Sequence, residues 1–153
     1  MRIRILFVGK TARGPVADLL SEYVDRTQRF ATIELVVVPE AVGADPSRQR
    51  ETESTRLIAA LQPGERVIVL DETGVQLSTV AFANRIGTWR DQGVRQLAIL
   101  VGGAYGLNDA VRQRADLVLG LSSMTFPHQL VRVILAEQLY RAFTVLNRLP
   151  YHH

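Results

Sequence analysis

A chain of 153 residues is long enough for one domain with a sizeable core and too short for two comfortable ones. Hydrophobic residues make up 47% and charged residues 22%, which excludes a mainly disordered chain, and no apolar run reaches membrane-spanning length. The absence of cysteine excludes disulfides, thiolate metal ligands and cysteine nucleophiles. We therefore predict a single domain over residues 1–153, located in the cytoplasm, without membrane insertion and without a metal.

Strand and helix patterns alternate along the chain, as the spacing of apolar residues indicates. The first half predicts, in order, a strand at 2–8, a helix at 16–30, a strand at 32–38, and a polar loop at 40–55 that runs into a helix at 51–61. The second half predicts strands at 66–70, 96–101 and 117–121, and helices at 78–92, 108–114 and 128–147, followed by a tail at 148–153. This order favours an α/β layered fold with a largely parallel sheet.

The charge balance of the chain is basic. The formal net charge is +3, and Lys10 is the only lysine among the 18 basic residues. Guanidinium groups suit phosphates and stacked bases better than ammonium groups do, although genome base composition accounts for a high arginine content equally well. The charge therefore permits a nucleic-acid partner without demonstrating one.

Two glycine-containing loops can be compared with known phosphate-binding motifs. Gly9-Lys10-Thr11 ends like a P-loop, but Arg4 stands where that motif needs its first glycine. A dinucleotide fingerprint aligned on Gly103 and Gly106 places Val101 at its first glycine. The sequence therefore disfavours a P-loop protein and an ordinary dehydrogenase, and a nucleotide-binding module of another kind rests on this second glycine loop alone.

A polar loop follows the last predicted strand. Ser122, Ser123 and Thr125 precede Pro127 and the long helix. In open α/β sheets, ligands bind at the carboxyl ends of the strands, and hydroxyl groups there can also cap the next helix. Arg132 interrupts the wide apolar face of that helix, and an arginine in this setting is more often a snorkelling or salt-bridged residue than a catalytic one.

Several stretches of the chain together carry a resemblance to a known family. They are Leu70-Asp71 followed by Gly74, LVGGAYGL, LSSMTFPHQLVRVILAEQLYRAF, and Asn147 followed by Pro150-Tyr151-His152. In order, spacing and total length, the chain resembles the small SPOUT-class methyltransferases of the RlmH family, which modify N3 of a pseudouridine in large-subunit ribosomal RNA. The resemblance covers essentially the whole chain.

The resemblance implies a SPOUT-type α/β fold with a C-terminal trefoil knot, in which the last helix passes through a loop of the sheet despite the rarity of knots. It implies that S-adenosylmethionine lies bent among the knot loops, that two chains form a homodimer, and that the substrate is a pseudouridine in helix 69 of 23S rRNA in the assembled ribosome. Carried over position by position, the cofactor-binding residues are Leu70, Gly102, Gly103, Ser122, Ser123, Met124, Thr125, Phe126 and Pro127.

Methyl transfer requires alignment of the sulfonium methyl with the acceptor nitrogen and help in removing the proton of that nitrogen. The catalytic candidates are His128, because imidazoles titrate near neutral pH, then Arg132, and the tail residues Tyr151 and His152. RNA contact would use an arginine-bearing surface that positions phosphates rather than reading bases. Its candidate residues are Arg4, Arg13, Arg48, Arg50 and Arg141.

The glycine loop departs from the family pattern at two positions. The family loop usually reads Gly-Gly-Pro-Glu-Gly, and here Ala104 and Tyr105 replace the proline and the glutamate. Alanine gives up the rigidity of proline, and a phenol carries no negative charge at neutral pH. The alternative function is therefore a knotted RNA- or ribosome-binding relative without catalytic activity, which need not bind the cofactor.

Overall fold

The computed structural model describes residues 1–43 and 45–153. Strands and helices alternate along these residues. The first half contains β1 (Arg2–Val8), α1 (Pro15–Thr27), β2 (Thr32–Val38) and α2 (Pro46–Ala59). The second half contains β3 (Arg66–Gln76), α3 (Thr79–Asp91), β4 (Gln96–Val101), α4 (Asp109–Arg114), β5 (Leu117–Gly120) and α5 (His128–Leu146).

The strands form a parallel sheet in the order β2-β1-β4-β3-β5. Helices cover both faces: α1, α3 and α5 pack on one side, and α2 and α4 pack on the other. A sheet that is covered on both faces needs apolar residues along whole strands, which is why the strand segments read as apolar runs. The predicted α/β fold with a parallel sheet is confirmed.

α1 ends at Thr27, three residues before its predicted end, and two elements extend beyond their predicted bounds by five residues or more. α2 begins at Pro46, before residue 51, because Pro46 occupies the first helical turn and the Asp45 carboxylate accepts a hydrogen bond from the Arg48 nitrogen at 3.1 Å. β3 continues past Leu70 to Gln76, because a bulge lets Leu70 and Val75 both pair with Leu119 of β5.

The bulge brings two backbones unusually close together. A Cβ atom on Gly74 would lie 2.6 Å from the Gly120 nitrogen, a separation that only a glycine permits. This close approach places the last part of β3 directly against the last residues of β5, just before the segment that leads into α5. The passage of α5 through a loop of the sheet stays a prediction, with which this close approach is consistent.

Arg4 has a structural position that rules out RNA contact. It is 5% exposed, and its Nη1 atom donates to Glu65 Oε1 at 2.8 Å and to the Ala60 carbonyl at 3.2 Å. The guanidinium thus binds the carbonyl at the end of α2, where helices leave acceptors without partners. The prediction that Arg4 binds phosphates is wrong. The alternation of polar and apolar residues in β1 does not show which other part of the chain packs over the Arg4 side chain.

Among the residues that the structure describes, no helix combines the length and the apolar character needed to cross a membrane.

Candidate active site

A cavity of about 910 Å³ lies at the carboxyl edge of the sheet, where β3, β4 and β5 end side by side. Its walls are the bulge that follows Leu70, the glycine loop (residues 102–107), and the loop from Leu121 into the start of α5. Apolar side chains also line it: Leu70, Val101, Leu107, Leu119, Leu121, Phe126 and Val131. Parallel α/β sheets bind ligands at this edge.

The structure brings most of the predicted cofactor residues together around this cavity. Those that line it are Leu70, Gly102, Gly103, Ser122, Met124, Thr125, Phe126 and Pro127. Ser123 is exposed and lies outside this lining. The predicted set therefore converges on one place, although its role in binding a cofactor stays a prediction.

The serine-containing loop is shaped by its own hydrogen bond. Ser122 Oγ accepts from the Met124 nitrogen at 3.0 Å, which closes a tight local turn. No side chain caps α5, whose N-cap residue is Pro127. The hydroxyl at Ser122 therefore stabilises the turn beside the cavity instead of the helix end.

Residue 103 has to be a glycine, because the side chains of Glu53 and Val8 leave no room for a Cβ atom there. A Cβ atom there would be 2.7 Å from Glu53 Oε2 and 3.2 Å from Val8 Cγ1. Glu53 is 1% exposed, and its other oxygen accepts from the Ala41 nitrogen at 3.0 Å. The carboxylate thus has little freedom to move aside. Sequence reasoning missed Glu53, because a glutamate within a polar helix looks like a surface residue.

Arg112 connects two walls of the cavity through its hydrogen bonds. Its Nη1 atom donates to Asp71 Oδ2 and to the Leu107 carbonyl, both at 2.8 Å, and its Nη2 atom donates to Asp109 at 2.7 Å. Asp71 Oδ1 in turn accepts from the nitrogen and the hydroxyl of Thr73, at 2.9 and 2.6 Å. The guanidinium thereby joins the bulge in β3 to the end of the glycine loop. Neither Arg112 nor its partners were identified as site residues from the sequence.

The contacts of Asp71 with Thr73 and Arg112 change the pKa of the Asp71 carboxyl. Burial works to raise the pKa of the Asp71 carboxyl, but the hydrogen bonds from Thr73 and the attraction to Arg112 outweigh it and lower the pKa below its ordinary value. Because the folded pKa lies below the unfolded one, the stabilisation is fully present above about pH 4, and it is lost as the pH falls through the lowered value.

Replacement of Asp71 by asparagine should therefore have a pH-dependent effect. We expect Asp71→Asn to reduce the free energy of unfolding by about 1–2 kcal/mol at neutral pH, as loss of a hydrogen-bonded charge does. The difference from the wild type should shrink as the pH falls below about 4. Urea unfolding across this pH range measures it, with Asp91→Asn as the exposed control. A difference that does not change with pH would contradict this account.

The catalytic candidates occupy different places. His128 is half-buried in the first turn of α5 and lines the cavity. Arg132, one turn later, is 1% exposed and directs its donors to Val8 O at 2.7 Å, Gly9 O at 3.0 Å and Thr11 Oγ1 at 2.9 Å. Burial lowers the pKa of the Arg132 guanidinium. Its hydrogen bonds hold the loop after β1, outside the cavity lining.

The tail candidates are not among the residues that line the cavity, and Tyr151 packs against the second half of α5. The Tyr151 hydroxyl donates to Glu137 Oε1 at 3.2 Å, and its ring packs edge-on against Tyr140 with centroids 4.7 Å apart. Burial, with the negative charge of Glu137 as a further cause, raises the pKa of Tyr151, so the phenol is protonated at neutral pH. His152 is exposed. Within one chain, neither residue belongs to the cavity lining.

The other arginines proposed for RNA contact differ in their solvent exposure and in whether other side chains already bind them. Arg13 and Arg48 are exposed. The Nη2 atom of Arg141 donates to Glu137 Oε1 at 2.5 Å. Its guanidinium lies over the Tyr151 ring, with the Cζ atom 4.6 Å from the ring centroid. Arg50 lines the cavity. The exposed pair is therefore better placed for phosphates than Arg141 is.

The parallel sheet and the cavity bounded by the loops at the strand ends agree with the comparisons, which place the protein in the SPOUT class. A family described as "Predicted SPOUT methyltransferase" matches residues 1–152. The chain belongs to this family of methyltransferases, as the sequence motifs predicted. Curated relatives named "Ribosomal RNA large subunit methyltransferase H" are similar over 100% of both chains, with 47% identity for Pelobacter propionicus and 45% for Geobacter sulfurreducens.

Solved structures show the same fold at low sequence identity. A probable methylase family protein from Haemophilus influenzae has a TM-score of 0.61 and 13% identity, over 95% of this chain and 68% of that one. A probable methyltransferase from Bordetella pertussis has a TM-score of 0.59 and 16% identity, over 92% of this chain and 95% of that one. The predicted SPOUT-type α/β fold is thereby supported from structure as well as from sequence.

Proposed function

We propose that this protein transfers the methyl group of S-adenosylmethionine to N3 of a pseudouridine in helix 69 of 23S rRNA. The observation that carries the proposal is the convergence of the Leu70 region, the glycine loop and the Ser122–Pro127 region on one cavity. Support for the RNA substrate comes from relatives of equal length that are named ribosomal RNA methyltransferases. We further propose that residues 1–153 act as one domain, in a cytoplasmic homodimer, on assembled ribosomes.

The cavity is suited to hold a ligand that is partly apolar and partly charged. When bound, S-adenosylmethionine supplies an activated methyl group on a sulfonium. Leu119, Leu121 and Phe126 would offer apolar surface for its adenine and would exclude water from that end of the cavity. Ser122 and the glycine loop would provide hydroxyl and backbone groups for its ribose.

Removal of the proton from the acceptor nitrogen falls to a residue that faces the cavity. We assign this role to His128, because it lines the cavity and an imidazole nitrogen can act as a general base. Arg132 acts indirectly, since its hydrogen bonds to Val8, Gly9 and Thr11 position the loop beside α5. Tyr151 and His152 lie away from the cavity of their own chain, so any contact they make with substrate has to involve the partner chain of the proposed homodimer.

Mass spectrometry of ribosomal RNA tests the reaction. Cells that lack this protein should lose one methyl group on a single pseudouridine, and reintroduction of the wild-type chain should restore it. The purified protein should methylate assembled ribosomes of the deletion strain in preference to their naked RNA. The reason is that a protein of 17 kDa recognises its RNA target largely by shape. An unchanged methylation profile would contradict the proposal.

Titration with S-adenosylmethionine separates the enzyme from its alternative. A knotted RNA-binding relative without activity need not bind the cofactor, and the half-exposed Tyr105 in the glycine loop is the feature that keeps this alternative open. Saturable binding by calorimetry favours the enzyme, and absence of binding favours the relative without activity.

A further inference from the structure

The cavity has a cationic side chain whose charge is not used by the protein itself. The residues with a basic side chain that line it are Arg50, Arg112 and His128. The Arg112 guanidinium already pairs with Asp71 and Asp109 and donates to the Leu107 carbonyl. Arg50 has no comparable partner within the part of the chain that the structure describes: its closest acidic contact is Glu51, at 3.9 Å from Arg50 Nε, which is too long for a hydrogen bond.

The Nε atom of Arg50 is shielded from solvent and has no hydrogen-bond partner among the described residues, although the side chain as a whole is 42% exposed. A buried donor without an acceptor costs free energy. Since Nε is shielded on every side, a ligand in the cavity would pair with the Nη atoms of Arg50, which are not among the shielded atoms without a partner.

Contacts between α2 and the glycine loop hold Arg50 beside the cavity. The Asn108 side chain donates to Glu51 Oε2 at 2.8 Å, and the Asn108 nitrogen donates to Ser54 Oγ at 3.1 Å. Glu53 fills the space behind Gly103. Residues one to four positions after Arg50 in α2 therefore contact the glycine loop and the residue that follows it, which keeps this part of α2 beside the cavity.

We propose that Arg50 binds the carboxylate of the methionine part of S-adenosylmethionine. This inference rests on the proposed function and adds the recognition of one end of the ligand. The carboxylate is the only anionic group of that molecule, and a guanidinium pairs with a carboxylate through two parallel hydrogen bonds. The acids Asp71 and Asp109 do not compete for Arg50, because Arg112 already pairs with both.

Two ligands that differ at this end test the proposal. S-adenosylhomocysteine carries the amino-acid end, and 5′-methylthioadenosine lacks it. By calorimetry, Arg50→Ala should weaken S-adenosylhomocysteine about tenfold, a change of about 1.4 kcal/mol, and leave 5′-methylthioadenosine within about twofold of the wild type. Arg50→Lys should lie between, since it keeps the charge and loses the paired geometry. Arg90→Ala, an exposed arginine on α3 with no assigned role, is the control and should change neither ligand.

Each other outcome overturns the proposal in a recognisable way. Equal weakening of both ligands would show that Arg50 supports the shape of the cavity and does not recognise the carboxylate. Unchanged binding of S-adenosylhomocysteine, with a raised KM for ribosomes, would assign Arg50 to an RNA phosphate. A wild-type protein that binds neither ligand would instead overturn the proposed function, and this inference with it.

Discussion

Replacement of Gly103 by alanine is expected to weaken binding of S-adenosylmethionine at least tenfold. The new methyl group would lie 2.7 Å from Glu53 Oε2 and 3.2 Å from Val8 Cγ1. Glu53 is buried and held by the Ala41 nitrogen, so the glycine loop has to move toward the cavity. Forcing one extra carbon into a packed site costs about 1–3 kcal/mol, and here that displacement narrows the space for the ligand.

Calorimetry with the cofactor and its demethylated product measures this effect, and thermal unfolding shows whether the variant is folded. Shortening the opposing carboxylate provides a matched control: the double variant Gly103→Ala with Glu53→Asp should bind better than Gly103→Ala alone, because the acid retreats by one methylene. Binding equal to the wild type in the single variant would contradict the packing argument. So would a double variant that binds no better than the single one.

Replacement of Arg132 by alanine is expected to reduce the free energy of unfolding by about 3 kcal/mol or more. The variant loses a buried side chain and its hydrogen bonds to Val8, Gly9 and Thr11, and bonds from a charged donor contribute about 1.5–3 kcal/mol each. It also loses the contact of the guanidinium with the Phe7 ring, whose centroid is 4.6 Å from Cζ. Urea unfolding followed by circular dichroism measures the change.

An exposed arginine supplies the comparison. Arg90 pairs with Asp91 at the surface, with side chains 44% and 73% exposed, and Arg90→Ala should change the free energy of unfolding by less than about 1 kcal/mol. Arg132→Lys should be intermediate, because lysine keeps a charge without the planar set of donors. Normal stability of Arg132→Ala with loss of methyl transfer would contradict the structural role and return the residue to catalysis.

Local patterns in the sequence were sufficient for most of the secondary structure. The strand predicted at 2–8 is β1 (Arg2–Val8), and the apolar run before Gly102 is β4 (Gln96–Val101), because a strand covered on both faces must be apolar throughout. α2 was predicted too late, because its start depends on a cap at Asp45 within a polar stretch. β3 was predicted too short, because the bulge after Leu70 depends on pairing with a strand far along the chain.

Motif order was also sufficient to place the loops of the site at one edge of the sheet, since parallel strands direct their carboxyl ends the same way. It did not separate the roles of individual side chains. Arg132 and His128 lie one helical turn apart, yet one is buried against the loop after β1 and the other lines the cavity. Residues four apart lie on nearly the same face of a helix, so the position of each along the helix axis relative to the edge of the sheet decides this, and the sequence pattern does not show it.

The sequence by itself determined the class of fold, the family and the position of the binding loops, because apolar periodicity and motif order are local properties of the chain. Only the tertiary structure decided that Arg112 pairs with Asp71 across 41 residues of sequence and that Glu53 requires a glycine at residue 103. It also decided that Arg50 lines the cavity without a hydrogen-bonded acid among the described residues. Such contacts join residues distant in sequence, and they form only when strand order and helix packing bring them together.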